Sequence, residues 1–555
     1  MSMKPQGLEP IPEETVRIAK RSFPKGTLAM QLRDELGPIY TDEAFAHLFA
    51  KRGRGAEEPW RLALVTVFQA IEGLTDRQAA EYVRGRLDWK YALSLELDDE
   101  GFDAKVLSDF RERLIMHRAV DLVLEPILDL SKKRGWLKAG GKQRTDSTAV
   151  LSSVRALNSL ESVGESMRAA LNAIAEVDAD WLLAKLDPDW FDLYVHRFEL
   201  ARFPKAESKK QQLRQQVGRD VDRLLVALEE PGTPKAVRDL PEIALLRQIF
   251  AQHYEKKGDQ VQWRDGPAVR NEDRVVSPYD PDARSSRKRD TTWLGYKVHL
   301  TETCDQDPHV PHLISNVETD PSTIQDSEEL EPISERLRAR DLCPSEHFVD
   351  QGYTSANQLV KQAKQGTHIV GMVQEETSWQ KREQTGYAVQ DFQLDWDKHV
   401  ATCPQGKQNF SWIQQLDRRH QGTEVIKFSA QTCRDCPVRE QCTRNKDGRT
   451  LTLNTQEAHQ ALVERREEQR TSEFLKSYNR RAGVEGTISQ AVRTTRLRSS
   501  PYQGLPKTHL HHVAIAAGLN LVRIGAHLQA QARGKPSRPS RPRSPFARLQ
   551  SLEVA

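Results

Sequence analysis

The 555-residue chain has no apolar run approaching the ~18 residues of a membrane-spanning helix, so no membrane partner is expected. Its opening, MSMKPQGLEPIPEETV, lacks the apolar stretch of a secretory signal, and a cytoplasmic setting follows as the expectation. Cysteine is scarce, with six residues in all, which does not describe a small disulfide-stapled fold. Net charge is also nearly absent, at +3, although 29% of residues are charged. Any surface for an acidic partner must therefore come from local clustering of Arg and Lys, not from bulk charge. The length itself calls for about two to four structural units with cores of their own.

Residues 1–139 carry helical patterns. WRLALVTVFQAIEGL places Leu62, Val65, Phe68, Ala70 and Ile71 at helical spacing, and Gly73 ends the run. Thr75, Asp76, Arg77 and Gln78 then form a capping-box start for a second helix, and a third amphipathic pattern begins at Asp103 and breaks near Pro126. With Arg77, Arg84, Arg86 and Lys90 close by, this segment reads either as a helix-turn-helix against DNA phosphate or as an ordinary helical packing domain. Residues 152 to about 260 are polar and helical, as in KKQQLRQQVGRDVDRLLVALEE, and read as a helical arm.

Around that arm lie the signals of a sheet. TTWLGYKVHLTETC and HLISNVETD alternate with β-favouring residues, and SEELEPISERLRAR reads as a helix. Two acids stand out on β-type segments: Asp146 in GGKQRTDSTAV and Asp350 in HFVDQGYTSA, both expected at strand ends. Strands are depleted in Asp, so each position needs a reason. A third acid, Glu485, lies in SYNRRAGVEGTISQAVRTTRLR, where Tyr478, Arg481 and Glu485 are spaced three and four apart and would share one helix face. Arg493, Arg496 and Arg498 follow and are expected to meet phosphate; alone, the segment also reads as a salt-bridged helix face. The order of strands and helices is α/β.

Taken in order, TDST, VDQGY and the Tyr478, Arg481, Glu485 spacing resemble the DDE transposases of bacterial insertion sequences, in the branch marked by Y-(2)-R-(3)-E-(6)-K. The resemblance runs from LVTVFQAIEGLTDRQAAEYV through these motifs to LPKTHLHHVAIAAGLNLVRI, over most of residues 50–528. It implies an RNase H-like core in which Asp146, Asp350 and Glu485 hold Mg²⁺ or Mn²⁺, while Tyr478 and Arg481 touch DNA phosphate. It also implies double-stranded DNA partners, both transposon ends and target, a homo-oligomer on DNA, and a bacterial, nucleoid-associated setting. The chain departs from the signature at its last position, where Val492 stands and Arg493 follows. The chemistry independently favours three acids, because hard divalent cations take oxygen ligands and a metal pair stabilises both the attacking and the leaving oxygen. A nuclease that never joins ends, and a non-catalytic DNA-binding regulator, are the alternatives.

The core so implied spans residues 140–375, interrupted by the arm, and resumes over 456–528. Between lies 376–455, a β-rich insertion by its runs GYAVQDFQLDWDKHVATC and NFSWIQQLD. It holds Cys403, Cys433, Cys436 and Cys442, a CxxC with two further thiols, which suits tetrahedral Zn²⁺; reduced or redox-active thiols are the alternative. His420 reads as a surface residue that could replace one thiolate. Residues 529–555, rich in Arg and Pro, read as a basic disordered tail.

Overall fold

The computed structural model describes residues 2–535 apart from 6, 8, 259, 267, 289, 384 and 418–420. His420 and most of the basic tail, residues 536–555, lie outside the described residues. In chain order the strands are β1 (Lys142–Leu151), β2 (Tyr254–Lys257), β3 (Gln260–Trp263), β4 (Arg284–Lys288), β5 (Thr291–Thr303) and β6 (Ile314–Pro321). They continue with β7 (Glu346–Val349), β8 (His368–Val370), β9 (Gln393–Asp395), β10 (Val400–Thr402), β11 (Ser411–Leu416), β12 (Gly422–Lys427) and β13 (Thr450–Asn454). A mixed six-stranded sheet runs β4-β5-β1-β7-β8, with β6 also paired to β5. The α/β expectation holds.

Local chemistry accounts for the elements that frame this sheet. Thr75 and Gln78 make the reciprocal capping box, and Gly73 closes the preceding helix Pro59–Glu72 in the left-handed conformation at φ 65°. Pro126 opens the helix Glu125–Lys133 at its first turn, where its missing N–H costs nothing. Gly295 of β5 has φ 149°, and a Cβ there would stand 2.2 Å from the Val150 carbonyl oxygen, so β1 and β5 can approach only over a glycine.

The helix Gly483–Thr494 and the long helix Leu505–Ala532 cover one sheet face, tied to it through Thr487 on Glu302 and Asn520 on the Ile314 backbone. The helix Asp326–Ala339 begins on the other face, at Ser147 and Lys297. Leu505–Ala532 is long and apolar enough to cross a membrane, but 72% of its most apolar window is buried inside this fold. It also runs past residue 529, where the tail was expected to start.

The buried side chains gather in several clusters. Leu62, Phe68, Phe110 and Leu128 of residues 1–139 pack into the same cluster as Val298, Leu300 and Leu521, while Ala19, Met30 and Tyr91 form a small cluster of their own. The arm has a cluster of its own, with buried residues from Leu160 to Val275. The insertion has a small one around Phe392, Ile426, Phe428 and Leu451. In the N-terminal helices, Lys90 is buried and donates to the carbonyl oxygens of Glu96 and Asp99, so it is no phosphate contact in this fold. Arg86 pairs with Glu72 and Asp88, and Arg84 with Glu81.

Candidate active site

Strand register brings the first two acids together. β1 pairs in parallel with β7 up to Thr145 opposite Val349, and there β7 stops. Asp146 and Asp350 are the residues that follow Thr145 and Val349 along the chain. Asp146 is thus not at a strand end as expected; it sits in mid-strand, at the end of the β1–β7 ladder, while β1 continues beside β5 to Leu151. Asp350 does directly follow its strand.

The third acid arrives by a broken helix. Tyr478 ends the helix Ser472–Tyr478, Arg481 lies in a tight 3-10 turn over Asn479–Ala482, and Glu485 is in the first turn of Gly483–Thr494. The continuous helix face expected from the spacing is therefore interrupted, yet the three side chains still converge. Gly483 leaves room for the Arg144 guanidinium: a Cβ there would fall 1.8 Å from its Nη1, so any side chain at 483 would displace that group.

Arg481 is the centre of the arrangement. Its Nη1 donates to Asp146 Oδ2 at 3.1 Å and its Nη2 to Glu485 Oε1 at 3.0 Å, while its Nε stands 4.0 Å from Asp350 Oδ1. Tyr478 Oη donates to Asp350 Oδ1 at 3.3 Å. Three carboxylates on three elements thus share one cation. Asp146 forms the floor, with its side chain 18% exposed, whereas Asp350 at 49% and Glu485 at 59% form an open rim. Burial pushes the Asp146 carboxyl up; the Ser147 N–H and Arg481 oppose the rise, and the nearby Asp350 and Asp326 add to it. Among the described residues, no three His, Cys, Asp or Glu side chains are gathered closely enough to hold a metal ion. At the acids, the guanidinium stands between them.

Beneath the cup lies a charge network that sequence reasoning missed. Glu302 of β5 is fully buried, and its carboxylate accepts from Arg144 Nε at 2.8 Å, Thr487 Oγ1 at 2.6 Å and Arg523 Nη1 at 2.8 Å. Burial alone would raise this carboxyl, but Arg523 and Arg144 outweigh it and hold it below the usual range. Arg144 also donates to the Arg480 carbonyl at 2.9 Å. The network clamps the third-acid helix onto β1 and β5. Its only sequence signal is a charged residue at a strand position whose neighbours are buried on both sides.

Arg493, Arg496 and Arg498 are exposed, and Arg498 Nε donates to Thr148 Oγ1 at 2.8 Å. Val492, at the signature's last position, packs against the main core, which leaves Arg493 as the outward cation. In the insertion, Cys403, Cys433, Cys436 and Cys442 border one cavity of about 500 Å³. The Lys407 N–H donates to Cys403 Sγ at 3.3 Å. Burial pushes the Cys442 thiol up to about 11; Arg449 opposes the rise, and Cys433, Cys436 and Cys403 add to it.

Residues 402–525 match the family model described as a transposase DDE domain, and residues 19–113 match that of a transposase domain (DUF772). The first covers Tyr478, Arg481, Glu485 and the four cysteines; neither covers Asp146 or Asp350. No curated protein and no solved structure matches the chain. The two matches, near opposite ends of the chain, support a transposase function, with DNA as the substrate that such a family implies.

Proposed function

We propose that the chain is a DDE transposase with an RNase H-like core, which cleaves DNA at the ends of its element and joins those ends to target DNA. The observation that carries this reading is the convergence of Asp146, Asp350 and Glu485 on one cation, Arg481. Each acid alone has an ordinary explanation. Three from separate elements, grouped at a cost in mutual repulsion, make a cation site.

The donor set is all carboxylate oxygen, which fits Mg²⁺ or Mn²⁺. Held by Asp146, Asp350 and Glu485, such ions supply charge stabilisation at the attacking and leaving oxygens of an in-line displacement. Arg481 must leave the acids for that to happen, and its planar fork then suits a phosphate of the bound DNA. Tyr478 holds the Asp350 carboxylate by its hydroxyl, beside Arg481. In the first reaction water attacks phosphorus and a 3′-hydroxyl departs; in the second that hydroxyl attacks a target phosphodiester, and a target 3′-hydroxyl departs. Joining two ends calls for more than one copy on DNA, in the bacterial cytoplasm where nucleoid DNA lies.

Incubation with Mg²⁺ and DNA carrying the element's ends, followed by sequencing of the products, tests the reading. Ends joined covalently to target are expected. Cut ends without joined product would leave a nuclease, and uncut DNA retained by the protein would leave a regulator.

The insertion's four thiols border one cavity without closing to ligand distance, and thiolates are the donors a structural Zn²⁺ takes. Elemental analysis is expected to find about one zinc per chain. Cys436→Ser should lower the melting temperature of the insertion, and metal-free protein as stable as the parent would refute the site.

A further inference from the structure

Asp350 stands on the open rim of the site, and once Arg481 has left for a phosphate its carboxylate keeps, among the described residues, the Tyr478 hydroxyl alone. What then holds it beside Asp146 is the backbone that carries it. Asp350 caps the 3-10 turn over Gln351–Tyr353, in which the Tyr353 N–H donates to the Asp350 carbonyl at 3.0 Å. The aspartate is therefore placed by Tyr353.

Tyr353 is fully buried, and its Oη lies 2.6 Å from Nδ1 of His299, with the two rings edge to face at 86°. His299 is 1% exposed and lies on β5 directly opposite Ser147, the residue after Asp146. Side chains alternate along a strand, so Ser147 and His299 share the sheet face turned away from Asp146. Ser147 serves both aspartates: its N–H donates to Asp146 Oδ1 at 2.8 Å, and its side chain bonds the Tyr353 hydroxyl. One buried hydroxyl thus ties the turn that carries Asp350 to the strand pair that carries Asp146.

The protons of this bond follow from its surroundings. Burial pushes the His299 imidazole down to about 4; Asp326 opposes the fall and Lys297 adds to it, so the ring is neutral near pH 7. Its Nε2 lacks a hydrogen-bond partner among the described residues and stands 3.8 Å from Asp320 Oδ2. A proton on Nε2 faces that carboxylate, which leaves Nδ1 bare to accept from the Tyr353 hydroxyl.

We infer that Tyr353 and His299 are positioning residues for the divalent-cation site: their bond fixes Asp350 beside Asp146, so that both carboxylates meet one ion. This rests on the transposase reading above and adds to it two residues that act through Asp350 and Ser147. Loss of a partner that orients a metal ligand typically lowers metal affinity by about 10–100-fold.

The test is calorimetric titration of Mn²⁺ into the parent, Tyr353→Phe, His299→Leu and Tyr40→Phe, with urea unfolding of each. Tyr353→Phe removes one oxygen, and His299→Leu breaks the same bond from its other end, so either answers if the other fails to fold. Both are expected to weaken Mn²⁺ binding about tenfold. Tyr40→Phe separates positioning from stability alone: Tyr40 is 1% exposed and donates to the Val123 carbonyl at 2.6 Å, a comparable bond on elements that carry none of the acids. Its unfolding midpoint should fall as that of Tyr353→Phe does, with Mn²⁺ binding unchanged. A parent-like Mn²⁺ isotherm in folded Tyr353→Phe or His299→Leu would overturn the inference, as would an equal loss of Mn²⁺ binding in Tyr40→Phe. Either result beside a parent that binds Mn²⁺ and cuts DNA would leave the transposase reading intact. A parent that binds no Mn²⁺ would remove both.

Discussion

Asp146→Asn, Asp350→Asn and Glu485→Gln proteins are each expected to bind end DNA and to leave it uncut and unjoined. Each substitution keeps the shape of a side chain and removes one oxygen anion from a site built of three. Asp146 is the most demanding of them, because it is the half-buried floor of the cup and its carboxylate is bonded to both Arg481 and the Ser147 N–H. Loss of charge stabilisation at a reacting phosphoryl group lowers rates by about a hundredfold to a thousandfold or more, so gel assays should register no product. Binding should persist or tighten, since negative charge leaves a surface that meets phosphate. Cleavage near the parent's rate by any one variant would remove that acid from the site.

The second large effect is on stability. Glu302→Ala is expected to destabilise the fold by about 3–5 kcal/mol, because it leaves two buried or nearly buried guanidinium groups without their counter-charge. Arg144 and Arg523 both depend on this one carboxylate, and Thr487 of the third-acid helix donates to it. The change should show as a lower midpoint in urea unfolding. Cleavage should fall as well, since Glu485 is then carried on a helix no longer clamped to β1. An unfolding midpoint equal to the parent's would mean that the network contributes nothing to the native state.

The contrast between these two sites shows what the chain announces and what it conceals. Asp146, Asp350 and Glu485 stand out in sequence because an acid is unusual on a strand or among cations, and because their order fits a known pattern. The strands bearing them were legible through alternation, as in TTWLGYKVHLTETC for β5. What periodicity could not supply was register: that β7 ends opposite Thr145, and so sets Asp350 beside a mid-strand Asp146, is a property of pairing. The break between Tyr478 and Glu485 was hidden because helical spacing is nearly preserved across the tight turn at Asn479–Ala482. Glu302 was invisible because a charged residue in a strand normally faces water, and only the arrival of Arg144 and Arg523 from distant segments reverses that. Lys90 erred the other way, a cation read as surface that lies buried against backbone carbonyls. The shared core of residues 1–139 with the sheet was likewise out of reach, since patterning marks an apolar face but not what covers it.

That three acids make one divalent-cation site is the centre of this account, and calorimetric titration of Mn²⁺ into the parent and the three acid variants tests it most directly. The parent should bind Mn²⁺, with the Arg481 contacts displaced, and Asp146→Asn, Asp350→Asn and Glu485→Gln should each lose most of that binding. Mn²⁺ isotherms in all three variants that match the parent's would contradict it.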